Sequence, residues 1–127
     1  MPLVRITLKE GHSSEQCRAI ADGVYDSLRE AIKIPENDRF QVILEQAGDK
    51  LIADKNYMDI PRTGDSVFVE ITLRRGRTKE MKKALYREIP ERLFASAGIA
   101  KEDILIVLTE NDDADWSFGL GEAQYVK

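Results

Sequence analysis

A chain of 127 residues, 43% hydrophobic and 33% charged, is long enough for one domain with a modest core. Its net charge of −4 speaks against nucleic acid or an anionic membrane as the main partner, and no apolar run approaches a membrane span. One cysteine forbids an internal disulfide and suits a reducing cytoplasm, and the start shows no leader-like pattern of positive charge followed by apolar residues.

The chain opens MPLVRITLKEG. A small second residue permits removal of Met1, which would leave Pro2 with a free secondary amine. A sheet also tolerates proline at the first residue of a strand, so Pro2 alone decides nothing. Residues 3–9 hold the strand-forming types Val, Ile, Thr and Leu. Gly11 marks a turn. Ser13 is a natural helix N-cap, with capping-box spacing to Gln16. Cys17, Ile20, Ala21, Val24, Leu28 and Ile32 then fall on one helical stripe. A strand resumes near 39–45. Residues 47–65 read as a connector, punctuated by Pro61 and Gly64.

The opening then returns. ITLKEGHSSE at 6–15 is answered by ITLRRGRTKE at 71–80, an offset of 65 that persists without a gap. IPENDRFQVILEQ at 34–46 falls on IAKEDILIVLTEN at 99–111. The second unit gives a strand over 66–74, an N-cap at Thr78, and a stripe of Met81, Leu85, Ile89, Leu93 and Ala97. Pro90 lacks an N–H and crowds the carbonyl of Tyr86, so a kink or bulge is expected there. A last strand is expected over 103–109. The chain therefore reads as one domain: a βαβ unit at 2–46, the connector, a second βαβ unit at 66–111, and a C-terminal segment at 112–127.

Two such units predict an α/β fold of two layers, with a four-stranded sheet and both helices on one face. The other face would be open to water. Yet ILIVL at 104–108 is apolar on both sides, which suits a strand buried on both faces. Other subunits are the expected cover.

RRGRT at 74–78 joins the third strand to the second helix. Strand ends are common ligand sites, and two guanidiniums can grip one carboxylate. A solvated basic turn is the plainer alternative. The first copy has Glu10 and His12 where the second has Arg75 and Arg77, so these arginines are not an automatic product of the repeat. Arg74 has the opposite strand parity from Arg75 and is expected to matter less. Asp38 begins the second strand and has Asp103 as its repeat partner, so a turn or capping role competes with a functional one. A single site would want only one of them. Trp116 and Phe118 share a face in an extended segment and could line a pocket or merely pack.

Asn111, Asp113, Asp115 and Glu122 match four positions of a calcium loop, but Trp116 stands where glycine is needed. One histidine leaves no His-based metal site and no Ser-His-Asp triad within the chain. No metal and no cofactor are expected.

Pro2, the duplicated βαβ unit and the Arg-Gly-Arg turn together resemble the tautomerase superfamily, whose members use a catalytic N-terminal proline and assemble as trimers or hexamers. Within it, PENDRFQV at 35–42, RRGRTKE at 74–80 and TENDDADWSFG at 109–119 look like the malonate semialdehyde decarboxylases. The resemblance spans nearly the whole chain. It implies Pro2 as the catalytic amine, Asp38 as its polar partner, Arg75 and Arg77 as carboxylate binders, and Trp116 with Phe118 as an apolar wall. It implies a small anionic oxo-acid substrate and a homotrimer. Three features depart from that pattern: the added Arg74, the helical Pro90, and a chain end at Lys127. The related cis-3-chloroacrylic acid dehalogenases use a helical His, and Arg29 stands in the first helix instead. The Cys-x-x-Cys pair of macrophage migration inhibitory factor is absent.

Overall fold

Alternation decides the sheet. Strand β1 (Leu3–Lys9) points Val4, Ile6 and Leu8 inward, while Leu3 and Arg5 face out. Strand β3 (Val67–Arg74) does the same with Val67, Val69, Ile71 and Leu73. Helices α1 (Ser14–Ile32) and α2 (Lys79–Ala97) cover that inner face. In this computed structural model, which describes residues 2–127, strands β2 (Phe40–Gln46) and β4 (Ile104–Asn111) form the edges. The order is β2-β1-β3-β4, with β1 and β3 antiparallel and each edge strand parallel to its neighbour. The expected two-layer βαβ architecture is what forms, and strand boundaries fall within two residues of those read from sequence.

Both helices start where expected. The Ser13 hydroxyl accepts from the Gln16 N–H at 3.0 Å, and Thr78 accepts from Met81 N–H at 3.2 Å. Only half of the capping box forms, because the Gln16 amide instead donates to the Ala97 carbonyl at 2.8 Å and ties α1 to the end of α2. The α1 stripe is buried as the periodicity requires, and each fully buried Ile or Leu contributes about 1.5–3 kcal/mol of burial free energy. α2 runs through Pro90 without a break, so the expected kink or bulge does not divide it. Tyr86, whose carbonyl loses its usual partner, is 41% exposed, so this turn of α2 lies on the solvent side. No helix among the described residues is long and apolar enough to cross a membrane.

The outer sheet face stays open in one chain. Leu3, Phe40, Val42, Leu105 and Val107 are all exposed on it. β4 is therefore covered on its helix side only, where Ile104, Ile106 and Leu108 pack against the core.

Topology brings the singled-out residues to one end. β1 and β2 begin there; β3 and β4 finish there. Leu3 pairs with Phe40 on one side and Thr72 on the other, and Arg74 pairs with Asn111.

Candidate active site

Pro2 lies directly before Leu3 and is buried. Met1, whose removal the proline reading needs, lies outside the described residues. Asp38 closes a turn just before β2, its N–H donating to the Pro35 carbonyl at 3.3 Å, and is half-buried. Its repeat partner Asp103 is used otherwise. Asp103 is 2% exposed and takes both the backbone N–H and the hydroxyl of Thr63. Its carboxylate holds the connector, whereas Asp38 is half-buried at the end of the sheet where β2 begins.

The arginine turn follows β3. Gly76 has φ +126°, a backbone state that side-chain-bearing residues rarely reach, so glycine is what lets the chain reverse between Arg75 and Arg77. The two arginines differ. Arg75 is exposed and its Nε donates to Asp112 Oδ1 at 2.9 Å, which holds its pKa above the ordinary value. Arg77 is half-buried and donates to the Arg74 carbonyl at 2.9 Å. Burial, then the charge of Arg74, push Arg77 below its ordinary value. An arginine lowered in this way is still a cation in neutral solution. Arg74 follows the parity of Thr72 on the open face. It pairs with Asp113 at 2.9 Å, and its Nε is buried with no hydrogen-bond partner.

Trp116 and Phe118 do come together. Their rings stack at 5.4 Å between centroids with planes 8° apart. Trp116 Nε1 donates to Asn111 Oδ1 at 2.6 Å, which anchors the segment to the end of β4. Phe118 also meets Phe40 at 5.9 Å and the edge of Tyr125 at 5.0 Å. The Phe40, Trp116 and Phe118 rings, with Leu3, Thr72, Asn111 and Asp115, line a cavity of about 420 Å³. Arg75 lines a neighbouring hollow with Arg74, Asp112 and Asn111, the last of which the two hollows share. The end of the sheet thus presents an apolar cavity and, beside it, a hollow of paired charges, Arg74 with Asp113 and Arg75 with Asp112.

Tyr125 is the residue that sequence reading missed. It lies close to the chain end, in a segment with no periodic pattern, and nothing local forecasts that it folds back onto Arg74.

Against this geometry, a family model described as tautomerase enzyme matches residues 38–119, and a second of the same description matches residues 2–57. The chain belongs to the tautomerase family. A probable tautomerase, YusQ of Bacillus subtilis (strain 168), is 39% identical over 127 residues and covers all of both chains. Among solved structures, FG41 malonate semialdehyde decarboxylase inhibited by 3-bromopropiolate is 41% identical with a TM-score of 0.91, covering 97% of this tautomerase and 93% of that chain. A second malonate semialdehyde decarboxylase, described for its decarboxylase and hydratase activities, is 28% identical with a TM-score of 0.91, covering 97% and 95%. The likeness inferred from the PENDRFQV, RRGRTKE and DADWSFG motifs is therefore borne out at the level of family and fold.

Proposed function

We propose that the mature chain begins at Pro2 and decarboxylates a small 3-oxo acid, malonate semialdehyde, to acetaldehyde and carbon dioxide. One observation carries the reading: the start of β1, the Asp38 turn, the arginine turn and the aromatic cavity all meet at one end of the sheet. The 41% identity to FG41 malonate semialdehyde decarboxylase supports the substrate class.

The chemistry follows from the parts. Loss of carbon dioxide leaves an electron pair that the 3-oxo group must accept. A protonated Pro2 amine donates hydrogen bonds to that oxygen and stabilises the enolate. A neutral amine instead condenses with the aldehyde, releasing water and forming an iminium that is cationic without further protonation. The carboxylate C–C bond then breaks into the iminium, the enamine takes a proton from solvent, and hydrolysis frees acetaldehyde. Arg75 and Arg77 orient the carboxylate, and the Trp116–Phe118 wall suits a neutral leaving gas. Arg74 stands beside that pair. Asp38 raises the amine's affinity for its proton while the arginines lower it. With a protonated Pro2, Asp38 can also activate water, giving hydration of an unsaturated acid as a side activity.

A second reading is keto-enol tautomerisation of a 2-oxo acid, with neutral Pro2 as the base that moves a proton between carbon and oxygen. The probable tautomerase name of the Bacillus relative favours it. A third, a trimeric interaction protein without catalysis, needs no free amine. The deciding assay offers malonate semialdehyde, a phenylenolpyruvate-type enol and an acetylenic acid, and ranks the specificity constants. The decarboxylase reading expects malonate semialdehyde to lead. A lead by the enol assigns the tautomerase, and turnover of none leaves the interaction protein.

A further inference from the structure

The duplication supplies a control inside the molecule. Groups that the fold alone requires should recur in both copies, whereas groups confined to one copy need another reason. The turn that carries Asp38 is fastened to α1 by such groups.

Asn37 takes φ +69°, a left-handed state that asparagine tolerates better than most residues. Its N–H donates to the Tyr25 hydroxyl at 3.0 Å. On the other side of Asp38, Arg39 Nη2 donates to Asp22 Oδ1 at 2.6 Å and Arg39 Nε donates to Gln41 Oε1 at 2.8 Å. The Arg39 guanidinium also lies 4.8 Å from the centre of the Tyr25 ring. Gln41 Nε2 returns to the Ala21 carbonyl at 2.8 Å. Arg39, first through its hydrogen bond, holds the Asp22 carboxyl below the usual carboxylate range.

Shifted by the repeat offset, Asp22, Tyr25, Asn37, Arg39 and Gln41 become Arg87, Pro90, Glu102, Ile104 and Ile106. None of these can remake the contacts. The second turn is fixed instead through Asp103 and Thr63. The proline inside α2 thus occupies the very place where the first copy keeps Tyr25.

Stability is a poor reason for the difference. Asp22 is about half exposed, and exposed ion pairs contribute about 0–1 kcal/mol. Placement is a better one, because a misplacement of about 1 Å at a reacting group can cost about 10²-fold in rate.

We infer that Tyr25, Arg39 and Asp22 form a positioning clamp for Asp38, gripping its turn on both sides and fixing where the carboxylate stands relative to Pro2. The inference rests on the roles proposed above for Pro2 and Asp38.

The test titrates the Pro2 amine directly, by ¹⁵N NMR of protein labelled in proline, so it does not depend on the substrate. Asp38→Asn should lower the amine's pKa by about 1 unit or more, since a nearby negative charge is lost. Tyr25→Phe removes the hydroxyl acceptor and keeps the ring. It should move the same titration in the same direction by a smaller amount, with the melting temperature nearly unchanged. Asp22→Asn serves as a second variant should Tyr25→Phe fail to fold. Arg74, Arg75 and Arg77 bear on the amine with the opposite sign and are intact in every variant. A shift in Asp38→Asn with none in Tyr25→Phe or Asp22→Asn overturns the clamp and spares the reading of the site. No shift in Asp38→Asn overturns the reading of the site, and the clamp with it.

Discussion

The Arg74 guanidinium lies over the Tyr125 ring, with Cζ 3.9 Å from the ring centre. Arg74 and Tyr125 are 51 residues apart and would not be paired by inspection of the sequence; it is the fold-back of 119–127 that joins them. Gln124 fastens that fold-back, taking the Phe118 N–H at 2.9 Å and donating to the Gly119 carbonyl at 2.9 Å. A cation over an aromatic face contributes about 0.5–2 kcal/mol, more where water is excluded. Tyr125→Ala should therefore raise KM for the carboxylate substrate by about 2- to 30-fold. Tyr125→Phe keeps the ring and should stay near wild type. Equal losses in both variants would place the effect in the hydroxyl and not in the stacking.

Arg77→Ala should cost more than Arg75→Ala. Arg77 is half-buried, so its charge meets less screening, whereas Arg75 is exposed and must exchange Asp112 for any substrate. A charge-assisted contact of about 1.5–3 kcal/mol converts to about 10- to 100-fold in kcat/KM for Arg77. Steady-state kinetics on single variants settles the order. Small, equal effects from Arg74, Arg75 and Arg77 would reduce the turn to a solvated basic surface.

Much of this was legible because local signals and the global fold agree. Ser13 and Thr78 cap the helices, the apolar stripes face the sheet, and the repeat predicts where β3 and β4 lie. Other features were hidden for physical reasons. Gln16 had a tertiary acceptor on Ala97 that capping-box spacing cannot reveal. Pro90 could stay inside α2 because the turn that loses its hydrogen bond, at Tyr86, lies on the solvent side. The unlike surroundings of Arg75 and Arg77 depend on Asp112, Tyr125 and Arg74, which come from three segments. The choice between Asp38 and Asp103 needed Thr63, a connector residue with no pattern of its own.

That choice is itself testable. Asp103→Ala strips two donors on Thr63 of a buried partner. Thr63 is exposed and its donors can turn to water, so the loss is that of hydrogen bonds to a charged group, about 1.5–3 kcal/mol, which urea unfolding should show. Asp38→Ala should unfold within about 1 kcal/mol of wild type, because its turn keeps the Tyr25 and Pro35 bonds. The reverse order would mean that Asp38 is the structural member of the pair.

Leu105 and Val107 stand exposed on β4, beside Leu3 and Val42 on the same open face. A homotrimer that covers this face is the assembly proposed for the chain, since closed symmetry leaves no apolar strand facing water. Light scattering at micromolar concentration should give about three chain masses for wild type. Val107→Asp buries a charge in that contact and should yield smaller species with the helices intact by circular dichroism. A well-folded wild-type monomer would refute the assembly.

The proline itself admits the sharpest experiment. Intact mass should first show loss of Met1, since active protein that keeps Met1 fully has no free Pro2 amine. If the amine condenses with an aldehyde substrate, borohydride should trap the iminium as a stable tertiary amine on the N-terminal peptide. Labelling alone shows only that the amine is nucleophilic, so activity must fall in proportion to adduct. Pro2→Ala keeps an amine if Met1 is removed, but a primary and more mobile one. It should retain a residue of turnover, because a primary amine can still form an imine or act as an ammonium donor. Acetylation of Pro2 removes both the nucleophile and the charge. It should abolish turnover whether the amine works covalently or by polarising the carbonyl, while leaving the fold unmoved, since Pro2 precedes β1 and its nitrogen carries no ladder hydrogen bond. Absence of a borohydride adduct together with loss of activity on acetylation would assign the polarising role. Full decarboxylation by the acetylated protein would remove Pro2 from the mechanism altogether.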